Sequence, residues 1–523
     1  MKRSIPFFVS FLLCGLLAGA QSKVFREVSS EISSQMKLIT QDEALIGYLM
    51  FTQLEKVNAD SFNYQVSIMD ENLNDIGKLN FKDKNLELRS VSFEQDILCL
   101  GYVKSDLADL KNTSMKKIRK AMDAAGNAVF TQLINLKGDI IHSSSIAVDL
   151  ALKEELAYVK NSRPSVVAGR LKHDLVLKNI PGKGFVGFYG DQEKNRLFAF
   201  DIAGKELWSK NIPDAQAFGM LTTTNDVYVL SKRKMEMLEG GYEVRGFAAG
   251  DGNSYDKYEL KDKKGSQLKV LGFETDPNSG KPIITGSIID PVRGNNFYTV
   301  TALSKGPYDG VFTVSLNGPR RADIKETFSY WSDGSKAPEI SASGLVSDNH
   351  AYPRFSSSIR DFKGNTYFVG NSYIRKPKVG SIVASILLSP TIIFPIFISA
   401  GGYNKGKAVD AVLMRQDSAG RLRFENAIEG QSSRFYAAKM DLSYYGFKTF
   451  YTVSNPTTKS NFLIVDDFGK TVIYNVDTRR VMRTVSHREG SVSTAIFPAK
   501  QGHIMVVENN RRERYTKLSI EAL

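Results

Sequence analysis

One unit returns along this chain and restricts its fold more than any other feature. An alternating apolar strand runs into an Asp or Asn, two or three variable positions follow, then a Gly, then a second strand. "LFAFDIAGKELW" shows it with Asp201 and Gly204 between two runs of period two, and "FTQLINLKGDII" repeats it with Asn135 and Gly138. "VLMRQDSAGRLRF" (Asp417, Gly420), "FTVSLNGPR" (Asn317, Gly318), "FLIVDDFGKTVIY" (Asp467, Gly469) and "SIRDFKGNTYFVG" (Asp361, Gly364) carry the same theme. Each reads as a tight β-hairpin: the Asp or Asn side chain caps its own turn, and Gly takes the positive φ that other residues avoid. Helical patterning is confined to Thr113 to Ala125 and Ser29 to Ile39. Many hairpins and little helix predict an all-β chain in which small antiparallel sheets repeat. A β-propeller of about six to eight blades fits best, because a blade takes about 40 to 50 residues. Tandem β-sandwiches are the alternative.

The N-terminus reads as a secretory signal peptide over residues 1–20. Lys2 and Arg3 precede an apolar core from Ile5 to Leu17, and Ala18-Gly19-Ala20 offers a small-x-small cleavage site before Gln21. The apolar core is too short for a bilayer of ~30 Å, which needs about 20 residues. A lipoprotein signal at Cys14 fails because Leu13 stands where a small residue is required and apolar sequence continues beyond. Residues 21–523 are then the mature propeller-like domain, exported to the periplasm or the cell surface.

Loss of the signal leaves Cys99 as the single thiol, so no internal disulfide forms and core packing must hold the fold. The strand-like flanks of Cys99 in "DILCLGY" mark it as a small buried residue. The formal charge of +13 becomes +11 once Lys2 and Arg3 leave, which favours anionic surroundings such as headgroups or acidic glycans. Nucleic acid is a poor partner for an exported chain with scattered cations. The clusters "MKKIRKAM" (Met115 to Met122) and "NNRRERYTK" (Asn509 to Lys517) read as solvated faces.

The local motifs of common enzymes are missing: the sequence contains no H-E-x-x-H, G-x-S-x-G, P-loop or C-x-x-C. Its five histidines, at 142, 173, 350, 487 and 503, stand far apart and read as surface or turn residues. Calcium is a weak cofactor candidate. Asp70, Asn72 and Asn74, and again Asp251, Asn253 and Asp256, alternate as in a hard-cation loop. Phe81 and Asp262 stand where such a loop wants a bidentate Glu, so both read as hydrogen-bonded turns.

The hairpins with D-x-x-G-K/N before an aromatic resemble those of bacterial β-propellers, and "DFKGNTYFVG" resembles their D-x-x-G-N-x-Y-x-x-G repeats. The whole chain, signal included, is similar to uncharacterised exported propeller-like proteins of Bacteroidota-type bacteria. That resemblance implies a fold and a location and brings no activity. Quinoprotein dehydrogenases repeat A-x-D-x-x-x-G-K-x-x-W, whose Trp docks between blades. Ala199, Asp201, Gly204, Lys205 and Trp208 match it once, one residue short, which does not build that cofactor site. The sialidase Asp-box is met by Asp467, Gly469 and Thr471, but Val465 and Val472 replace its end residues.

"GSIVASILLSPTIIFPIFISAGG", Gly380 to Gly402, is the most apolar stretch of the mature chain and the core of an insertion over 379–407. Ile382 to Ala400 carries no charge and as a helix would span roughly 28 Å. Pro390 and Pro395 interrupt it, and Arg375, Lys376 and Lys378 before it match Lys405 and Lys407 after it, so charge assigns no orientation. Hairpins of one repeating fold stand on both sides, so the chain must leave and return on the same side of any membrane. Two arms about Ser389-Pro390-Thr391, carrying Ile382, Val383, Ile386, Leu387 and Leu388 and then Ile392, Ile393, Phe394, Ile396, Phe397 and Ile398, are the candidate contact residues. They bury against the propeller, dip into a membrane, or dock an apolar partner or second copy. The functional expectation is a binding or scaffolding module at the cell envelope, contacting an envelope protein, a glycan or the membrane surface. The competing class is a glycan hydrolase or lyase, which dispersed carboxylates converging in a central channel would reveal.

Overall fold

The computed structural model describes residues 21–26, 33–42, 44–58, 61–84, 86–105, 127–148, 175–189, 195–212, 215–233, 241–290, 306–333, 339–347, 350–377, 404–428, 450–467 and 469–523. Their strands form eight antiparallel sheets arranged as an eight-bladed propeller. Blades 1 to 7 are four-stranded meanders over 33–84, 86–148, 176–212, 215–259, 268–330, 352–428 and 450–486. The first strand of each of blades 1 to 7 is innermost and lies beside the strand that opens the next blade, which for blade 8 is Val492–Pro498. Blade 8 is five-stranded and takes four strands from the C-terminus, the short Arg488–Glu489, then Val492–Pro498, His503–Asn510 and Tyr515–Ala522. Its outermost strand is the N-terminal Gln21–Arg26, paired antiparallel from Gln21 opposite Ile520 to Arg26 opposite Tyr515. The two ends of the chain therefore close the ring.

Eight apolar clusters fill the eight interfaces between neighbouring blades, including the one where blade 8 meets blade 1 around Tyr48, Met69, Met505 and Leu518. Because every sheet is covered on both faces, second strands such as "GFVGFY" (Gly184–Tyr189) and "PIITGSII" (Pro282–Ile289) are buried at every position. Outer strands such as Asp75–Lys84 face solvent and are polar along most of their length.

The recurring turns have the geometry their composition dictates. Asp201 Oδ1 accepts the backbone N–H groups of Ala203 and Lys205, both at 2.9 Å, and Gly204 has φ +87°. Asn135, Asp361 and Asp417 repeat this arrangement, with Gly138, Gly364 and Gly420 at φ +96°, +81° and +81°. Such turns join the first two strands in blade 6 and the last two in blades 2, 3 and 6, which explains the uneven glycine spacing. Trp208 docks between blades 3 and 4, donating through Nε1 to Ala249 O at 3.0 Å and lying against Gly252, where a Cβ would come within 2.6 Å of the ring.

Three expectations need correction. Ser33–Gln41 is the innermost strand of blade 1, not a helix, because it must pair with Ala44–Lys56. Asn317 and Gly318 open a longer loop that ends in a 3-10 turn at Arg321–Asp323. At Asp467 the expected tight hairpin forms, with Gly469 at φ +95°, but it is shorter than the others, since Asp467 pairs directly with Lys470. Thr113 to Ala125 lies outside the described residues.

Candidate functional site

Strict antiparallel alternation sorts the connections onto two faces. The links from first to second and from third to fourth strands share one face, which carries the Asp-Gly turns. The links from second to third strands and from blade to blade share the other. Turn-face connections are short, the longest running over 249–257, whereas the strands on either side of 106–126, 149–175, 290–307, 331–351, 378–403 and 429–449 end and resume at the loop face.

The apolar insertion is the second-to-third link of blade 6. Thr366–Pro377 and Asn404–Gln416 pair from Thr366 opposite Gln416 to Pro377 opposite Asn404, with one bulge between Asn371 and Tyr373. Their neighbours stop earlier, at Tyr352 opposite Tyr373 and at Ala411 opposite Ile428. Residues 374–377 and 404–407 thus continue as a two-stranded ribbon for roughly 13 Å at ~3.3 Å per residue. The chain leaves the blade at Pro377 and re-enters at its direct neighbour Asn404, with Arg375 opposite Gly406 and Lys376 opposite Lys405. Ile382, Val383, Ile386, Leu387, Leu388, Ile392, Ile393, Phe394, Ile396, Phe397 and Ile398 lie outside the described residues.

Among the described residues the buried carboxylates do not gather in one group; they are held by partners within or between neighbouring blades, and only the Asn179 amide, which donates to Asp42 at 2.9 Å as well as to Glu94, brings a second carboxylate close. Glu94 accepts from Asn179 Nδ2 at 2.9 Å and Gly182 N at 3.0 Å, tying blade 2 to blade 3. Glu425 pairs with Arg415 at 3.0 Å and Arg479 at 2.7 Å, joining blades 6 and 7. Glu243 pairs with Arg245 at 2.5 Å and Lys257 at 2.9 Å. Burial opposes the charge of Glu243, but the hydrogen bonds from Lys257 and Arg245 more than offset it and hold the carboxyl below its ordinary range. Of the innermost strands, Leu38 and Phe497 are apolar residues exposed on blades 1 and 8.

One trio has the residue types of a nucleophile relay. His487 Nε2 lies 2.9 Å from Thr471 Oγ1 and 2.8 Å from Asp466 Oδ1. A relay needs the carboxylate on the second ring nitrogen, holding the tautomer that lets the first accept a proton. Here hydroxyl and carboxylate address the same nitrogen, so the trio fastens the end of blade 7. His142 packs against Gly204 of the next blade, and His503 Nδ1 meets Gln501 O at 2.9 Å, so these histidines stay apart. Cys99 is fully buried, and burial pushes its thiol pKa far up.

The first calcium candidate is another hairpin turn. Asp70 Oδ1 accepts the N–H groups of Asn72 and Asn74, both at 2.8 Å, and Oδ2 accepts Asn74 Nδ2 at 2.8 Å. Leu73, at φ +67°, takes the place that Gly holds elsewhere. This hidden copy escaped the sequence pattern because Leu, not Gly, stands three residues after its Asp. Asp251 likewise spends its carboxylate on Asn253, through N at 3.0 Å and Nδ2 at 2.7 Å.

A family of unknown function, DUF6770, matches residues 1–135. No curated protein matches the chain. Among solved structures the chain is similar to the Dos1 propeller, at 8% identity and a TM-score of 0.43, covering 96% of this chain and 94% of that one. It is also similar to apo AztD from Citrobacter koseri, at 10% identity and a TM-score of 0.34, covering 88% and 92%. A third is the quinohemoprotein alcohol dehydrogenase ADHIIG from Pseudomonas putida HK5, at 10% identity and a TM-score of 0.39, covering 95% and 78%.

Proposed function

We propose that this protein is an exported propeller acting as a binding or scaffolding module at the bacterial cell envelope, held to a membrane or an apolar partner by residues 380–402. The observation that carries the reading is the ribbon of blade 6. It delivers both ends of an uncharged apolar segment side by side beyond the rest of its blade, as an anchor requires and a single membrane crossing within one ring forbids. Export rests on the N-terminal sequence. Cleavage after Ala20 leaves the closing strand whole, because that strand starts at Gln21. The ring supplies rigidity, and the strand ends that flank its longest connections share the face from which the insertion leaves. Partners consistent with this surface are an envelope protein, a glycan or the bilayer itself.

The test compares the mature protein with and without residues 381–400 by cell fractionation, mass measurement and melting. The expected outcome is that the full form sediments with membranes or in a larger complex, and that the deletion is released without loss of thermal stability. Two forms that are equally soluble, equal in assembly state and equally stable would remove the anchor. Unfolding of the deletion alone would make the segment part of the core.

A further inference from the structure

The ribbon of blade 6 carries cations on both arms and no acid. Arg375 and Lys376 stand on one arm, Lys405 and Lys407 on the other. The register sets Lys376 directly opposite Lys405, Arg375 opposite Gly406 and Ile374 opposite Lys407. Lys378 follows in the sequence. Thr366–Pro377 contains no Asp or Glu at all. The only acid in Asn404–Gln416 is Asp410, three residues below Lys407, which is about 10 Å along the strand at ~3.3 Å per residue. Other acids of the blade are held by cations farther from the ribbon: Asp417 pairs with Arg421 at 2.8 Å, and Glu425 with Arg415 at 3.0 Å and Arg479 at 2.7 Å. Like charges directly opposite on paired strands oppose the pairing. The ladder nevertheless runs past Lys376 and Lys405 to Pro377 opposite Asn404, so the fold raises positive charge at the root of the apolar segment with no acid in the ribbon to neutralise it.

We propose that these ribbon cations dock on the headgroups of an anionic bilayer, so that a phospholipid leaflet is the surface to which the protein is held. This rests on the reading above and names its partner. Charge complementarity asks for anions on both sides of the ribbon, because cations stand on both arms. A fluid leaflet supplies anions at any position around the ribbon, each neutralising a nearby Lys or Arg. The cations of each arm fall within about 10 Å of strand, comparable with a headgroup layer of roughly 5–8 Å and a Debye length of ~10 Å. An acidic glycan would meet the cations and leave the uncharged stretch without an apolar medium. An apolar protein groove would meet that stretch and leave the cations unpaired. An anionic leaflet answers both in one surface.

The test is co-flotation of residues 21–523 with vesicles of phosphatidylcholine alone and with about 30% phosphatidylglycerol, at about 50 mM and about 500 mM salt. Binding at least tenfold tighter to the anionic vesicles is expected at the lower salt, shrinking to within about threefold at the higher. Lys376→Gln with Lys405→Gln should remove at least tenfold of that preference, since each cation near such a surface contributes about fivefold. It should not lower the melting temperature, because it relieves a pair of like charges. Lys137→Gln with Lys205→Gln, the same loss of charge at exposed positions on the turn face, should leave the preference within about threefold. Equal binding to both vesicles, or a preference that the ribbon variant leaves intact, overturns the proposal while the anchor stands. Binding to neither vesicle, by a protein that deletion of 381–400 still releases from a larger cellular complex, assigns the segment to a protein partner and overturns it as well. Fractionation of the deletion decides the anchor itself, so the two fail separately.

Discussion

Asp361→Ala removes an acceptor that the fold cannot replace. The carboxylate takes Lys363 N at 2.9 Å, Asn365 N at 2.7 Å and Asn365 Nδ2 at 2.8 Å, and the residue is 1% exposed. Its backbone oxygen also accepts Asn278 Nδ2 of blade 5 at 2.9 Å, so the turn is fixed from outside and cannot open to water. Two part-buried N–H groups left without their acceptor cost about 1–2 kcal/mol each, and together with the cavity left at the buried carboxylate give an expected loss of about 3–4 kcal/mol. Asp201 makes the same two backbone bonds, but in an exposed turn where water takes over, so Asp201→Ala should cost about 1 kcal/mol. Differential scanning calorimetry of the two variants reads the contrast. Asp361→Ala should lower the melting temperature at least three times as far. Asp361→Asn, which keeps the acceptor Oδ1, should recover more than half of the loss. Equal shifts for Asp361→Ala and Asp201→Ala would refute the claim that burial sets the weight of this turn.

Gly370→Ala places a Cβ 1.8 Å from the Arg354 carbonyl oxygen on the paired strand, and should cost more than about 3 kcal/mol or abolish soluble expression; Gly364→Ala, at φ +81° in open space, should cost about 1 kcal/mol by the same melting assay. A chain beginning at residue 27 loses the whole ladder between Gln21–Arg26 and Tyr515–Ala522, about 4–6 kcal/mol at ~1 kcal/mol per hydrogen bond. It should melt lower and less cooperatively, and an unchanged calorimetric trace would show that the ring closes without it. Glu243→Gln leaves Arg245 and Lys257 facing a neutral group and should cost about 2–3 kcal/mol at pH 7. The folded pKa of Glu243 is lowered, so its contribution is full above the unfolded value of about 4.3 and fades as pH falls through the folded one. The gap between wild type and variant should therefore close below about pH 4, and a gap constant with pH would refute the assignment.

The hairpin chemistry was legible because it is local. An Asp or Asn three residues before a Gly makes its turn from its own backbone, so Asn135, Asp201, Asp361 and Asp417 could be placed without knowing their neighbours. The Asp70 turn was hidden because Leu73 accepts a positive φ that only the finished blade enforces. Ser33–Gln41 was misread for a related reason: an innermost strand is defined by the strand it pairs with and the blade beside it, and its own pattern is weak. Of the apolar insertion, the sequence supplied its extent and its broken, basic-flanked character.

What the sequence determined by itself was therefore the repeated unit: antiparallel hairpins with self-capped turns, and strands apolar enough to be buried on both faces. The number of blades, the use of Gln21–Arg26 to complete the last one, and the sorting of connections onto two faces were decided by the tertiary structure. Ring closure is a global condition. Eight sheets must each bury two faces, and the apolar clusters that satisfy this join residues of neighbouring blades that no local pattern relates. The same condition brings the first and last strands together, while strand pairing within blade 6 puts Pro377 beside Asn404, so that both ends of the insertion leave the blade at one point.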